Sequence, residues 1–246
     1  MEVADRKREA LERFTEQLTR GPAGKHVAKI ILFGSLAKGE VKPGSDIDVL
    51  VLSFNGIEAL RNACAETAFE VAMETGEGIE ALVYPLAEYF SPRTYFSYRV
   101  VHFGKEVFSV EEQELKQREV EARRKLAEVY LAGAQRAFAA GDLRIAIDTA
   151  YNAAELCVKG LLLLKLDDLP GSHGGVVGKL GELYVKTGLL PGTLGRRLNR
   201  GLEARANARY NYAAQITEEM AEEVIHLARE MLSHMKQVLG QEEGSA

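Results

Sequence analysis

The residues with the most chemistry to offer lie close together. Gly34-Ser35-Leu36-Ala37-Lys38-Gly39 is followed within a few residues by Ser45-Asp46-Ile47-Asp48. On a strand, residues two apart share a face, so Asp46 and Asp48 project side by side while Ile47, Val49 and Val51 turn to a core. Adjacent carboxylates repel unless a cation sits between them. An oxygen-only pair suits Mg²⁺ (or Mn²⁺), whose remaining positions stay open to water and phosphate oxygens. Gly34 lets a backbone pass close to a ligand, and Ser35 can begin a short helix whose free N–H groups favour phosphate. Lys38 offers a further cation, although an exposed lysine in a turn is the plainer reading. A Gly-Ser cradle beside a carboxylate pair makes a metal-and-triphosphate site, the kind that in-line nucleotidyl transfer needs.

The elements around these residues alternate. Residues 2–19 read as a helix with Leu11, Phe14 and Leu18 on one face. Val27–Phe33 is a β-branched strand ending at Gly34, and Asp46–Leu52 is a second strand after Pro43-Gly44. A helix over 57–75 leads to a third strand, Ile79–Tyr84. YRVVHFGKEVF, around 97–109, has hairpin chemistry with Gly104-Lys105 at the turn. Helix, strand, strand, helix, strand predicts a mixed α/β domain over residues 1–110.

From Glu111 the strand signals stop. Helices are expected near 112–140, 143–166, 174–187, 193–209 and 217–239, with Thr217 as an N-cap. The stretch 143–166 is apolar on most faces, which suits the centre of a bundle. Residues 111–246 therefore form a second, all-helical domain, and the fold class is α+β.

Composition narrows the function. The net charge of −5 across 246 residues argues against a histone-like nucleic-acid binder. Two cysteines, Cys64 and Cys157, cannot build a disulfide framework. The longest apolar runs fall far short of the roughly 20 residues that span a bilayer. With a charged N-terminus unlike a signal peptide, the expectation is a cytoplasmic protein with no membrane partner.

Gly34-Ser35-x3-Gly39-x5-Ser45-Asp46-x-Asp48 resembles the signature of the DNA polymerase beta nucleotidyltransferase superfamily, in its minimal stand-alone form, over roughly residues 25–90. The resemblance implies that Gly34 and Ser35 hold the β/γ-phosphates of an NTP and that Asp46 and Asp48 bind the metals. The family's third carboxylate, which joins the metal ligands and helps activate the attacking hydroxyl, falls by strand order on Glu80. Aspartate is usual there, so Glu80 is a departure. His26 and His102 read as structural or solvent-facing.

Residues 118–240 resemble the HEPN domain, a helical bundle found in prokaryotic toxins and as the partner of nucleotidyltransferases. The carrying stretches are Ala146–Glu155, Ser172-His173-Gly174-Gly175 and Arg205–Tyr212. HEPN ribonucleases carry Arg, four to six residues, then His. Here Tyr210, Asn211 and Tyr212 stand five to seven after Arg205, and no imidazole is present to shuttle a proton near neutral pH. Arg20-x5-His26 and Arg229-x4-His234 match literally, but chance supplies such pairs. Arg196, Arg197, Arg200, Arg205 and Arg209 against Glu203 make a basic stretch beside two tyrosines. It reads either as a phosphate-backbone or acidic-partner groove, with Asn152 and Glu155 lining it, or as Arg200 and Arg205 paired with acidic residues such as Asp148 or Glu155 on the central helix. Glu155 with Lys159 also reads as an ordinary i,i+4 pair.

In many such systems the two domains are separate proteins, and the nucleotidyltransferase neutralises the HEPN toxin by attaching AMP to a tyrosine near its motif. Fusion in one chain favours a self-contained enzyme with the helical domain as substrate platform, as in kanamycin nucleotidyltransferase, which it resembles. The leading expectation is a metal-dependent enzyme moving NMP, AMP first among candidates, from an NTP to a hydroxyl of a protein, RNA or small molecule. A homodimer through the helical domain accompanies it. The alternatives are a nucleotide- or RNA-binding dimer with little turnover, and a HEPN ribonuclease with a degenerate motif.

Overall fold

The computed structural model describes residues 3–243. It divides into two compact units that meet between Leu115 and Lys116.

The first unit is a four-stranded mixed sheet in the order β3-β2-β1-β4 with flanking helices. α1 (Val3–Arg20) leads through a short 3₁₀ turn to β1 (Val27–Phe33) and the five-residue α2 (Gly34–Lys38). Then come β2 (Ile47–Ser53), α3 (Ile57–Thr75) and β3 (Ile79–Pro85). β1 runs antiparallel to β2 and β4, whereas β2 and β3 are parallel and joined by the α3 crossover. One sheet face carries Ile30, Leu32, Ile47, Val49, Val51 and Val83, packed with Leu11, Phe14 and Leu18 of α1 and Leu60, Cys64 and Val71 of α3. Phe14 is fully buried, and its burial by itself contributes about 2–3 kcal/mol. Leu50 and Leu52 on the opposite face are buried as well, so β2 is a central strand covered on both sides.

The expected hairpin around 97–109 does not form. Tyr95–Phe103 is a helix, α5, preceded by the short α4 (Ala87–Phe90) and followed by β4 (Lys105–Ser109), which pairs with β1. A capping box decides it: Ser97 N–H donates to Thr94 Oγ1 at 3.0 Å and Thr94 N–H donates to Ser97 Oγ at 3.2 Å. Buried Glu88 also accepts the Arg93 backbone N–H at 3.0 Å, which fixes the entry to the helix. A cap and tertiary packing outweigh the β-propensity of Tyr98-Arg99-Val100-Val101.

The second unit is helical: α6 (Glu112–Ala139, whose first four residues precede the boundary), α7 (Leu143–Leu163), α8 (His173–Leu180, continued by a π turn over Gly181–Val185), α9 (Leu194–Tyr210) and α10 (Glu218–Glu243). α7 is buried over most of its circumference, including Ile147, Ala150, Ala154, Val158 and Leu161, and it packs against α8, α9 and α10. α10 places Val224, Leu227, Met231 and Leu232 inward, and Met220 N–H donates to Thr217 Oγ1 at 3.3 Å to start it.

Candidate functional site

β1 ends at Phe33, opposite Asp48 across the antiparallel ladder, and Asp48 lies opposite Glu80 across the parallel one. Ladder partners share a face, so Asp48 and Glu80 stand on the same side of the sheet. Asp46 precedes β2 by one residue, where Ile47 N–H donates to the Gly78 carbonyl at 2.9 Å. Asp48 is half-buried, while Asp46 and Glu80 are exposed. None of the three carboxylates takes a hydrogen bond or an ion pair among the described residues. Burial first, then the charges of Glu80 and Asp46, pushes Asp48 above the ordinary aspartate range.

Two glycines make room for the aspartates. Gly34 has φ +70°, a left-handed backbone that strains any other residue. A Cβ there would stand 2.8 Å from Asp48 Cγ and would overlap Oδ2 outright. A Cβ on Gly78 would likewise overlap Asp46 Oδ1 and stand 3.4 Å from its Cγ. The Asp48 carboxylate therefore occupies the space directly over the first residue of the Gly-Ser turn. Lys38 closes α2 on the surface, exposed and without a partner among the described residues.

In the second unit, Arg205 Nε donates to Asp148 Oδ1 at 2.9 Å, and Arg209 Nη1 lies 3.6 Å from the same oxygen. The Arg205 guanidinium also lies 5.5 Å from the centre of the buried Tyr151 ring. Tyr151 Oη contacts His173 Nδ1 at 3.1 Å, and His173 Nε2 contacts Asn199 Oδ1 at 3.1 Å. Glu155 pairs with Lys159 at 2.9 Å, and Asn152 is half-buried on the same helix. Of the two readings of the basic stretch, pairing with the central helix describes Arg205, joined by Arg209, whereas Arg200 makes no ion pair with that helix among the described residues. Tyr210 and Tyr212 are 76% and 96% exposed.

Two family models match the chain. Residues 8–126 match the nucleotidyltransferase domain, and residues 120–238 match the HEPN domain. The chain belongs to the nucleotidyltransferase and HEPN domain families. Two proteins of Methanocaldococcus jannaschii are similar to it. "Putative toxin MJ0142" is 29% identical over 122 residues, 50% of this chain and 82% of that protein. "Putative toxin MJ0605" is 31% identical over 121 residues, 49% of this chain and 89% of that protein.

Two unpaired aspartates, each fitted over a glycine, are a hard-oxygen donor set that suits a divalent cation. Among the described residues, however, no three His, Cys, Asp or Glu side chains stand together closely enough to hold a metal ion. Glu80 faces the pair without closing a three-ligand cage around it.

Two residues of this nucleotidyltransferase–HEPN chain escaped the sequence reading. Lys7 of α1 is buried, and Nζ donates to Glu77 Oε2 at 2.6 Å and to the Ser45 carbonyl. A lysine on the same helical stripe as Leu11, Phe14 and Leu18 was the available signal. Arg144, in the first turn of α7, donates to five carbonyls at the end of α9 and just beyond. Nη1 reaches Asn207, Ala208 and Asn211 at 3.2, 2.9 and 3.0 Å, and Nη2 reaches Tyr212 and Ala214 at 3.4 and 2.8 Å. A cation at a helix N-terminus opposes the dipole, which hints that its partner lies elsewhere. Arg144 thus anchors the segment that presents Tyr210 and Tyr212. No helix among the described residues is long and apolar enough to cross a membrane.

Proposed function

We propose that the first unit transfers NMP, with ATP as the leading donor, to a hydroxyl, and that Asp46, Asp48 and Glu80 carry the reaction. The observation that carries this reading is the Asp48 carboxylate lying in the space that only a glycine at position 34 leaves free. It brings an acidic ligand and the phosphate-binding turn into contact.

Asp46 and Asp48 would hold Mg²⁺ or Mn²⁺ together with the phosphates. When bound, the cation neutralises charge on the phosphate oxygens. Gly34 and Ser35 present backbone to the β- and γ-phosphates, and Lys38 adds a mobile positive charge. The attacking hydroxyl oxygen forms a bond to the α-phosphorus while the bond from that phosphorus to the bridging oxygen breaks, and pyrophosphate leaves. Glu80, exposed and in register with Asp48, accepts the hydroxyl proton.

The HEPN unit serves as the acceptor platform, within one chain or across a homodimer. Tyr212 is the preferred acceptor, with Tyr210 second, because both phenols project into solvent from the Arg144-anchored segment. Both relatives carry toxin names, which supports a place for this chemistry in toxin control. Intact mass after incubation with Mg-ATP tests the acceptor: a +AMP species absent from Tyr212→Phe supports it. Unmodified wild-type protein overturns the tyrosine acceptor. A second reading, a nucleotide-binding protein with little turnover, draws on the open arrangement around Glu80. Ribonuclease activity is disfavoured, since Arg205 is engaged by Asp148 and no histidine follows at the motif spacing.

A further inference from the structure

Asp48 sits inside β2 with ladder partners on both sides, Phe33 and Glu80. Asp46 does not. It lies one residue before the strand, at the end of an exposed turn over Lys42–Ser45 in which Ser45 N–H and Oγ–H donate to the Lys42 carbonyl at 3.2 and 2.9 Å. A local turn alone leaves a carboxylate free to swing, yet a shared cation requires both aspartates at fixed separation.

Lys7 supplies the missing restraint. Its side chain is 1% exposed, and its two acceptors are the residues immediately before Asp46 and Gly78. One is the Ser45 carbonyl and the other is Glu77 Oε2, at 2.6 Å. Gly78 is where the Asp46 carboxylate rests, and its carbonyl receives the Ile47 N–H. A single ammonium therefore ties the approach to Asp46 to the approach to its seat. Glu77 is held in turn by Arg6 Nε at 3.4 Å and by its own N–H donating to Thr75 Oγ1 at 3.2 Å. Burying an ammonium costs several kcal/mol before pairing, so a buried ion pair is weak grounds for expecting added stability. Its consequence here is placement.

We propose that Lys7 is a positioning residue for Asp46: its bonds to Ser45 and Glu77 hold the aspartate over Gly78, in place to share a divalent cation with Asp48. The inference rests on the nucleotidyltransferase reading of the site.

Mn²⁺ binding measured by electron paramagnetic resonance, with a non-hydrolysable ATP analogue present, separates this role from plain stability. Lys7→Met is expected to weaken Mn²⁺ binding by about tenfold, the scale seen when groups supporting a metal ligand are removed. The comparison is made where circular dichroism shows each variant folded. Lys7→Met/Glu77→Leu removes both buried charges and is expected to regain Tm without regaining Mn²⁺ affinity, because the Ser45 carbonyl stays untied. Glu77→Gln removes the charge but keeps an oxygen that can accept from Lys7, so it is expected to weaken Mn²⁺ binding by less than Lys7→Met does. If the double variant binds Mn²⁺ like the wild type, or if Lys7→Met lowers Tm alone, the positioning role is overturned. If wild type and Asp46→Asn bind alike, the metal-site reading fails and takes the inference with it.

Discussion

Gly34→Ala isolates the contact on which the site depends. The substitution adds one methyl group at φ +70°, and a non-glycine residue in that region costs about 1–2 kcal/mol. Gly76 has φ +75° with nothing within 4 Å of a Cβ, so Gly76→Ala carries the same strain and no collision. At Gly34 the new Cβ overlaps Asp48 Oδ2 and stands 2.8 Å from Cγ and 3.1 Å from Cβ. Asp48 must leave its rotamer or β2 must shift, which adds about 0.5–1.5 kcal/mol. At roughly 2–8 °C per kcal/mol, the span for domains of about 60 to 250 residues, Gly34→Ala should melt a few degrees below Gly76→Ala. Differential scanning fluorimetry reads that difference without any ligand. With the ATP analogue present, Mn²⁺ affinity should fall about tenfold or more in Gly34→Ala and hold in Gly76→Ala. Equal melting points together with equal affinities would refute the claim that Asp48 occupies the space over Gly34.

Three further expectations follow from the same geometry. A carboxyl raised in the folded state favours folding most below its unfolded pKa and loses that contribution as pH rises through its folded value. Asp48→Asn should therefore raise the metal-free Tm at pH 7 and by less at pH 4, and a larger gain at pH 4 would contradict the crowding of Asp48 by burial, Glu80 and Asp46. Arg144→Met should destabilise the helical unit by about 2 kcal/mol and speed amide exchange over residues 211–216 while the α7 core stays protected. Burial pushes the thiols of Cys64 and Cys157 up to about 12, so the native protein should leave both unlabelled by Ellman's reagent at pH 8, and rapid stoichiometric labelling would contradict that environment.

The legible parts of the sequence were those governed by local rules. Val27–Phe33 is β-branched and apolar between a Gly-Pro break and Gly34, and it forms a strand with those limits. Residues 57–75 run helically from Gly56 to Gly76, both of which adopt the left-handed conformation at the helix ends. The Gly34-Ser35 turn and the Asp46-x-Asp48 pair were visible because their spacing is short. Long-range pairing was not visible. Nothing local shows that Lys7 reaches Ser45 and Glu77 or that Arg144 spans to carbonyls more than 60 residues away, and the Asp148–Arg205 pair stood in the sequence only as one of two open readings. Tyr98-Arg99-Val100-Val101 misled for the same reason. Its β-propensity is real, but the deciding interactions are the Thr94–Ser97 box and the Glu88 carboxylate behind it.

The most direct test of the central claim is transfer of label from α-³²P-labelled ATP, GTP, CTP and UTP, with Mg²⁺ or Mn²⁺, with and without total RNA. Label is expected on the protein itself, strongest with ATP, and lost in Asp46→Asn/Asp48→Asn. Transfer that persists in the double variant would contradict the assignment of the reaction to these two carboxylates. No transfer to protein or RNA from any nucleotide would contradict the proposed enzyme.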